Sequence, residues 1–522
     1  MSCTFDKSRR MNRGFDPTLH VLGTRAASYP PIQKINTDIL WQIFNIIAEE
    51  SEVVWGSAAG LFDETGNETG ALTSFRYGSQ VCRAWRSGII SASSLWGKAI
   101  NLNGLNQRNG SWRNTVLSRS ARSPLWVHGF VRVIPLGGSG HNSGGFPEEF
   151  LFLLLEDHFS RIEKLQVYVE KLNVLRWRAI SAAGPLLRTF NMNVCNIVGT
   201  SRLDLWSTGP VDQPIFANIA TSNQYLPWFS NLQQLTLGNC TAYSELSKYL
   251  PAMPCLKDLC LKGPIVADKF LPHQIPLPLL QQLVVSGMFT NMLPFVTYLS
   301  PRLPCSLDLY IKHDGKVPAG ILVKIQQWVS AILESYFHLH RPESLHVALK
   351  EEQFFFRDVS LKRDFPCFRI DSFTYRPDEP QDGLVPLYIE ACASSRISEI
   401  KKMRLRLDFP KFMEPHIARP FLAFISAFQS VTTLKISEYS IYVLLNTYPV
   451  EAKRLFPGLQ TLSMTFLMGD PFNPERCGAT YLALYLDLRK EDGLMLSTVE
   501  VAELKKCKSG QVGGNSGKDY DL

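Results

Sequence analysis

Leu232-Gln-Gln-Leu-Thr-Leu237 recurs as Leu256-Lys-Asp-Leu-Cys-Leu261, again as Leu280-Gln-Gln-Leu-Val-Val285, and more weakly as Pro304-Cys-Ser-Leu-Asp-Leu309. Each copy starts 24 residues after the last. Looser copies flank them: Ile162 to Val167, Leu187 to Met192, Pro342 to Val347, Ile370 to Tyr375, Ile400 to Leu405, Val431 to Ile436 and Leu459 to Met464. The first, fourth and sixth positions of a copy are apolar, which puts them on the inner side of a short extended segment. One copy cannot bury its own leucines, whereas stacked copies can, with strands aligned into a parallel sheet and return segments outside.

The period lies in the range of leucine-rich repeats, about 20–29 residues. The expected fold class is therefore α+β: a small helical unit at 31–102, then an irregular α/β leucine-rich-repeat solenoid, a horseshoe, over 161–505. Tyr243 to Leu250, Phe289 to Leu299, Ile321 to Phe337 and Pro420 to Phe428 read as return helices. Register slips between Lys312 and Arg341, where the array either continues or breaks. Residues 1–30 and 506–522 are polar and read as a disordered N-terminal segment and a loose tail. A unit of strand, helix (Ser111 to Ser120), strand from Leu125 and helix (Pro147 to Phe159) fills 103–160 and caps the array.

Upstream, Ile35 to Ile47 forms an amphipathic helix. Ile39, Ile43, Ile46 and Ile47 share one face, with Leu40 and Phe44 beside them. Asn36 or Thr37 can cap its start, and Asp38 sits where the helix dipole favours an anion. The Gly-, Thr- and acid-rich stretch 49–75 reads as an exposed inserted loop. Gln80-Val81-Cys82-Arg83-Ala84-Trp85-Arg86 follows, then Ser93-Ser94-Leu95-Trp96-Gly97-Lys98-Ala99-Ile100, and then Val116 to Leu125.

In this order the segments resemble the F-box family, above all the F-box-like proteins of mushroom-forming fungi. Ile39, Leu40, Ile43 and Phe44 match the family's first motif, Val81, Cys82, Arg83, Trp85 and Arg86 the second, and Leu95 and Trp96 the third. Ile35-Asn36 stands where the family has Leu-Pro, and Asp38 where it has Glu. The resemblance covers Ile35 to Leu102 and extends to Leu125.

It implies a substrate-recognition subunit of a Skp–cullin–F-box ubiquitin ligase, active in protein ubiquitination without chemistry of its own. The Skp adaptor, and through it a cullin–RING ligase, would dock on Ile39, Leu40, Ile43, Phe44, Ile47, Val81 and Trp85. An unknown protein substrate would lie on exposed strand positions of the array: Gln234, Thr236, Asp258, Lys262, Gln282 and Ser286, with Cys260 and Val284 beside them. The alternative is a non-ligase leucine-rich interaction scaffold with a degenerate F-box. Adaptor binding, and its loss on Ile43→Asp, separates the two.

Bulk properties agree with an interaction protein. The net charge of +7 is small for 522 residues, and the basic groups at Lys7 to Arg25 and at Lys401, Lys402, Arg404 and Arg406 read as a flexible tail and a solvated face. Neither forms a nucleic-acid stripe. The eleven cysteines lack framework spacing, which fits reduced thiols in cytoplasm or nucleus. No apolar run reaches membrane-span length, and the first thirty residues carry no apolar secretory core. The sequons at Asn109 and Asn239 then carry no weight.

No catalytic residue, cofactor or metal site is expected. His338, His340 and His346 have no carboxylate or cysteine at ligand spacing. Gly514 to Lys518 departs from a phosphate loop: Asp519 stands where Ser or Thr should be. Trp85, Trp96 and Cys82 read as packing groups, and the absence of clustered His, Asp and Cys motifs argues against a hydrolase or transferase.

Overall fold

A computed structural model describes residues 35–50, 70–106, 110–131, 147–169, 184–194, 226–238, 243–262, 274–288, 296, 299–301, 305–313, 319–350, 353–360, 368–374, 384–393, 397–408, 413, 415–466 and 480–503. The expectations for 1–30, 506–522, Gly514 to Lys518 and most of Phe289 to Leu299 lie outside them.

The strands are β1 (Ile100–Asn101), β2 (Leu125–Val131), β3 (Ile162–Val169), β4 (Thr189–Val194), β5 (Gln234–Gly238), β6 (Asp258–Lys262), β7 (Ile275–Leu277), β8 (Gln282–Met288), β9 (Leu299–Pro301) and β10 (Ser306–His313). Then come β11 (Ser344–Lys350), β12 (Gln353–Asp358), β13 (Phe368–Thr374), β14 (Lys402–Asp408), β15 (Thr433–Ser437), β16 (Thr461–Phe466) and β17 (Thr498–Glu503). Among the described residues fifteen of them form one sheet, in the order β1-β2-β3-β4-β5-β6-β8-β10-β13-β12-β11-β14-β15-β16-β17, and β7 pairs with β9 separately.

The 24-residue copies stack in register. Leu235 pairs with Leu259, Leu259 with Leu283, and Leu283 with Leu307, all in parallel. Leu235, Leu237, Leu259, Leu261, Leu283 and Val285 are buried in the core. Alternation continues to the far edge: Met403, Leu405 and Leu407 point inward, while Lys402 and Arg406 are exposed.

The expected fold class is nevertheless overturned. The molecule is α/β, a large mixed sheet of mostly parallel strands, and not a small helical F-box followed by a leucine-rich solenoid. Two findings account for this. First, strand order does not follow chain order. β10 pairs with β13, and β12 pairs antiparallel with both β13 and β11. A solenoid needs every strand beside its predecessor with a like return, and the β11–β12–β13 meander runs backwards. The helix before it, Ala319–His340, is about 33 Å long at 1.5 Å per residue. It connects β10 to β11, and β13 and β12 later fill the two sheet positions between them. The slip at Lys312 to Arg341 is this crossing, and the sheet continues through it.

Second, the N-terminal helices do not form a unit apart. They are α1 (Thr37–Glu50), α2 (Ala71–Val81), α3 (Arg83–Ser91) and α4 (Ser93–Lys98). β1 follows α4 after Ala99 and pairs with β2. At Gly97 a Cβ would collide with the carbonyl oxygen of Pro124, so glycine alone lets α4 approach the start of β2 this closely. One apolar core runs from Leu40 through Trp96, Leu125 and Leu235 to Tyr485. The loop expected over 49–75 is also shorter, since α2 begins at Ala71 and Phe75 is fully buried.

Downstream helices cover the apolar side. Among them are α5 (Ser111–Ser120), α6 (Pro147–Asp157), α7 (Tyr243–Tyr249), α8 (Ala319–His340), α9 (Leu384–Ala393), α10 (Pro415–Ser426), α11 (Glu438–Thr447) and α12 (Thr480–Glu491). Tyr336 and Phe337 of α8 meet Phe368 and Phe356, and Tyr388 of α9 stacks on Phe354. Arg489 of α12 is buried and donates to the carbonyls of Leu455 and Phe456, which closes the last turn before β16. The opposite side of the sheet carries its polar side chains.

Candidate functional site

Two surfaces answer to the expected site residues. The first lies on α1. Asn36 caps that helix: its Oδ1 accepts the Asp38 N–H at 2.9 Å, and its carbonyl accepts the Leu40 N–H. Leu40 and Phe44 are buried, and Ile47 is half-buried against the core. Ile39 and Ile43 stand 51% and 40% exposed, with Ile46 beside them at 51%. The helix thus divides its apolar surface. One row holds the fold, and the adjacent row at i, i+4, i+7 faces outward.

The buried row is anchored by aromatic rings. Phe44 meets Phe75 and Trp85 edge to face, Phe75 meets Trp96, and Trp96 meets Trp112. Gly78 leaves room for Phe44, since a Cβ there would sit 3.0 Å from its ring. Cys82 is extended and breaks the chain between α2 and α3, and the Arg86 Nε bridges the break to the Ser79 carbonyl at 2.9 Å. Trp96 Nε1 donates to Ile89 O at 2.7 Å. Lys98 donates to Asn45 and Glu49 and lies over the Trp126 ring, tying α1 to β2. That contact, with help from Asn45, holds the Glu49 carboxyl below its ordinary range.

The expected docking residues therefore separate. Ile39, Ile43 and Val81 are exposed, whereas Leu40, Phe44 and, in part, Ile47 and Trp85 serve the core. Ile46 belongs with the exposed group, as its helical spacing indicated. Exposed Tyr77 and Ile90 were not legible, because their polar neighbours leave no stripe.

The second surface is the polar face of the sheet. Gln234, Asp258 and Gln282 lie side by side in register, as do Thr236, Cys260 and Val284, and Lys262 and Ser286. Gln234 and Gln282 are exposed, Thr236, Asp258 and Lys262 half-buried, and Ser286 buried. Gln234 donates to Asp258 at 2.8 Å and accepts from Thr189 at 3.2 Å. Burial pushes the Asp258 carboxyl up, against the pull of Gln234 and Lys257. Burial also raises the thiols of Cys260 and Cys305, the latter to about 12, so neither is a ready nucleophile.

Farther along, the same face turns basic. Arg369, Arg357, His346, Arg404 and Lys435 are successive neighbours across β13, β12, β11, β14 and β15. The sequence disclosed only the part on β14. The histidines considered for a metal are dispersed: His338 is exposed, His340 packs on Tyr336 at 4.7 Å, and His346 lies on the sheet against Phe355. Among the described residues no cluster of His, Cys, Asp and Glu has metal-ligand form. No described helix is long and apolar enough to cross a membrane.

The sequence matches no protein-family model and no curated protein.

Proposed function

We propose that this chain is the substrate receptor of a Skp–cullin–F-box ubiquitin ligase, docking the adaptor through its N-terminal helices and holding a protein substrate on the polar face of its sheet. The observation that carries the reading is the outward row Ile39, Ile43 and Ile46, set on a helix whose neighbouring row is already used by the core. A helix needs one apolar stripe to fold onto its own protein, and a second, exposed stripe is surface available to a partner. The order of the motifs around Cys82, Trp85 and Trp96, which resembles the F-box family, supports the same partner. The protein performs no chemistry in this reading and acts by raising the local concentration of a target lysine. It works in cytoplasm or nucleus, with its cysteines reduced; Cys82, Cys255, Cys260, Cys305 and Cys392 are free thiols.

The test is a pull-down of the purified chain with the Skp adaptor, comparing wild type with Ile43→Asp and Ile39→Asp. Each change puts a charge into the centre of the docking surface and touches little of the core. A loss of about 2 kcal/mol or more, roughly thirtyfold in affinity, is expected for either. Absence of binding by folded wild type overturns the ligase reading and leaves an interaction scaffold without a cullin.

A further inference from the structure

Sheets avoid placing like charges directly opposite one another, because the pair destabilises the fold. This sheet does so twice. Arg357 stands opposite Arg369 and Arg404 beside Lys435, with the uncharged His346 between the two pairs. Four of these side chains are cations, from four stretches far apart in sequence, and no carboxylate stands in the row between Arg369 and Lys435. Among the described residues the nearest acids stand beside the row. Asp371 holds Arg369 at 3.2 Å with Asp308 at 3.8 Å, and Asp408 holds Arg406 at 2.7 Å. Arg357 and Lys435 make no ion pair among the described residues. His346, in the middle, has an Nε2 that is shielded from water and finds no hydrogen-bond partner there.

We infer that this row is a docking site for a short acidic segment of a partner protein, whose carboxylates or phosphates would lie across Arg357, His346, Arg404 and Lys435. Charge complementarity selects an acidic ligand, and the dimensions select a peptide. Five adjacent strands span about 19 Å, the length of roughly six extended residues. Past Arg369 the row meets Asp308, and past Lys435 it meets Ser463 and then Glu500, so a carboxylate beyond each end would repel a polyanion that ran on, as a nucleic acid does. The aromatic ring within the patch, Phe355, is already engaged by His346 at 4.8 Å and by the Arg369 guanidinium at 5.5 Å, so it offers no open platform for a base. Naming the segment as part of a ubiquitination substrate rests on the receptor reading above; the binding site itself does not.

The test is fluorescence anisotropy on the full chain with a labelled oligoglutamate peptide, a phosphoserine peptide of matched length, an oligoglutamine peptide and a single-stranded oligonucleotide. Both acidic peptides are expected to bind and to weaken as salt rises, and oligoglutamine is not. Tighter binding of the phosphoserine peptide would assign the ligand groups to phosphate, and equal binding to carboxylate. Neutralising the row by Arg404→Gln with Lys435→Gln, or by Arg357→Gln, is expected to weaken binding by about tenfold per cation removed. Arg419→Gln, an exposed cation on α10, is the control, and matching circular dichroism spectra establish folding. The proposal is overturned if oligoglutamate binds no better than oligoglutamine, if the row variants bind like wild type, or if the oligonucleotide binds tightest. Peptide binding without adaptor binding would sink the ligase reading alone, and the reverse result would sink this proposal alone.

Discussion

The rings of Phe44 and Trp85 meet edge to face with their centroids 5.6 Å apart, which makes Phe44 a core residue on the same helix that turns Ile43 outward. Adjacent positions should therefore fail in different ways. Phe44→Ala removes a buried ring and is expected to destabilise the protein by about 3–5 kcal/mol in urea unfolding. Ile43→Asp is expected to shift stability by less than about 1 kcal/mol while removing adaptor binding. Equal loss of stability in the two variants would contradict this division of the helix.

Trp85 and Trp96 should also part ways. The Trp96 indole N–H donates to the Ile89 carbonyl in a buried bond, whereas the Trp85 N–H has no partner among the described residues. Trp96→Phe leaves that carbonyl orphaned and should cost about 1–3 kcal/mol beyond the lost packing. Trp85→Phe forfeits no hydrogen bond and should cost clearly less. Chemical denaturation of the two variants side by side decides the matter.

Gly97 tests whether helices and sheet form one body. A methyl at this position meets the Pro124 carbonyl oxygen, backbone against backbone, with no flexible side chain to yield. Gly97→Ala is expected to destabilise by about 1–3 kcal/mol. The whole protein should melt earlier in one transition. Early melting of the helices alone, with the sheet unchanged, would count against the shared core.

Two histidines should make the protein acid-sensitive. Burial, with Lys164 nearby, holds His128 down at about 4, and burial with Arg404, Arg357, Arg406 and Lys435 holds His346 at about 3. Both values lie below that of an unfolded histidine. The unfolded chain then binds the proton first, so stability is full above about pH 6.5 and falls as pH drops toward the folded values. For His128 the loss between pH 7 and pH 5 is about 2 kcal/mol. Urea unfolding of His128→Gln should show a shallower decline over this window than wild type does. An identical decline would remove His128 as a cause.

The repeat copies placed most of the strands of the large sheet. Leu235, Leu259 and Leu283 pair in register because 24 residues hold one strand and one return, and equal returns leave no room for slippage. Gln353 to Asp358 escaped notice as a strand. Phe354 and Phe356 alternate as a strand requires, but the antiparallel segment carries no copy of the repeat. The exposed row of α1 was half legible: periodicity put Ile39 and Ile43 with Leu40 and Phe44 on one broad stripe without saying which row the core would take.

The sequence by itself determined which segments extend, which of their side chains turn inward and, where spacing is constant, which strands are neighbours. Those properties depend on local alternation and short returns, which the chain spells out residue by residue. Tertiary structure alone decided that β13 lies beside β10, that the helices share the sheet's core, and that Arg369, Arg357, His346, Arg404 and Lys435 stand in one row. Each of these depends on where a long crossover sets a strand down. That position follows from the summed packing of the whole core, and no single stretch of sequence encodes it.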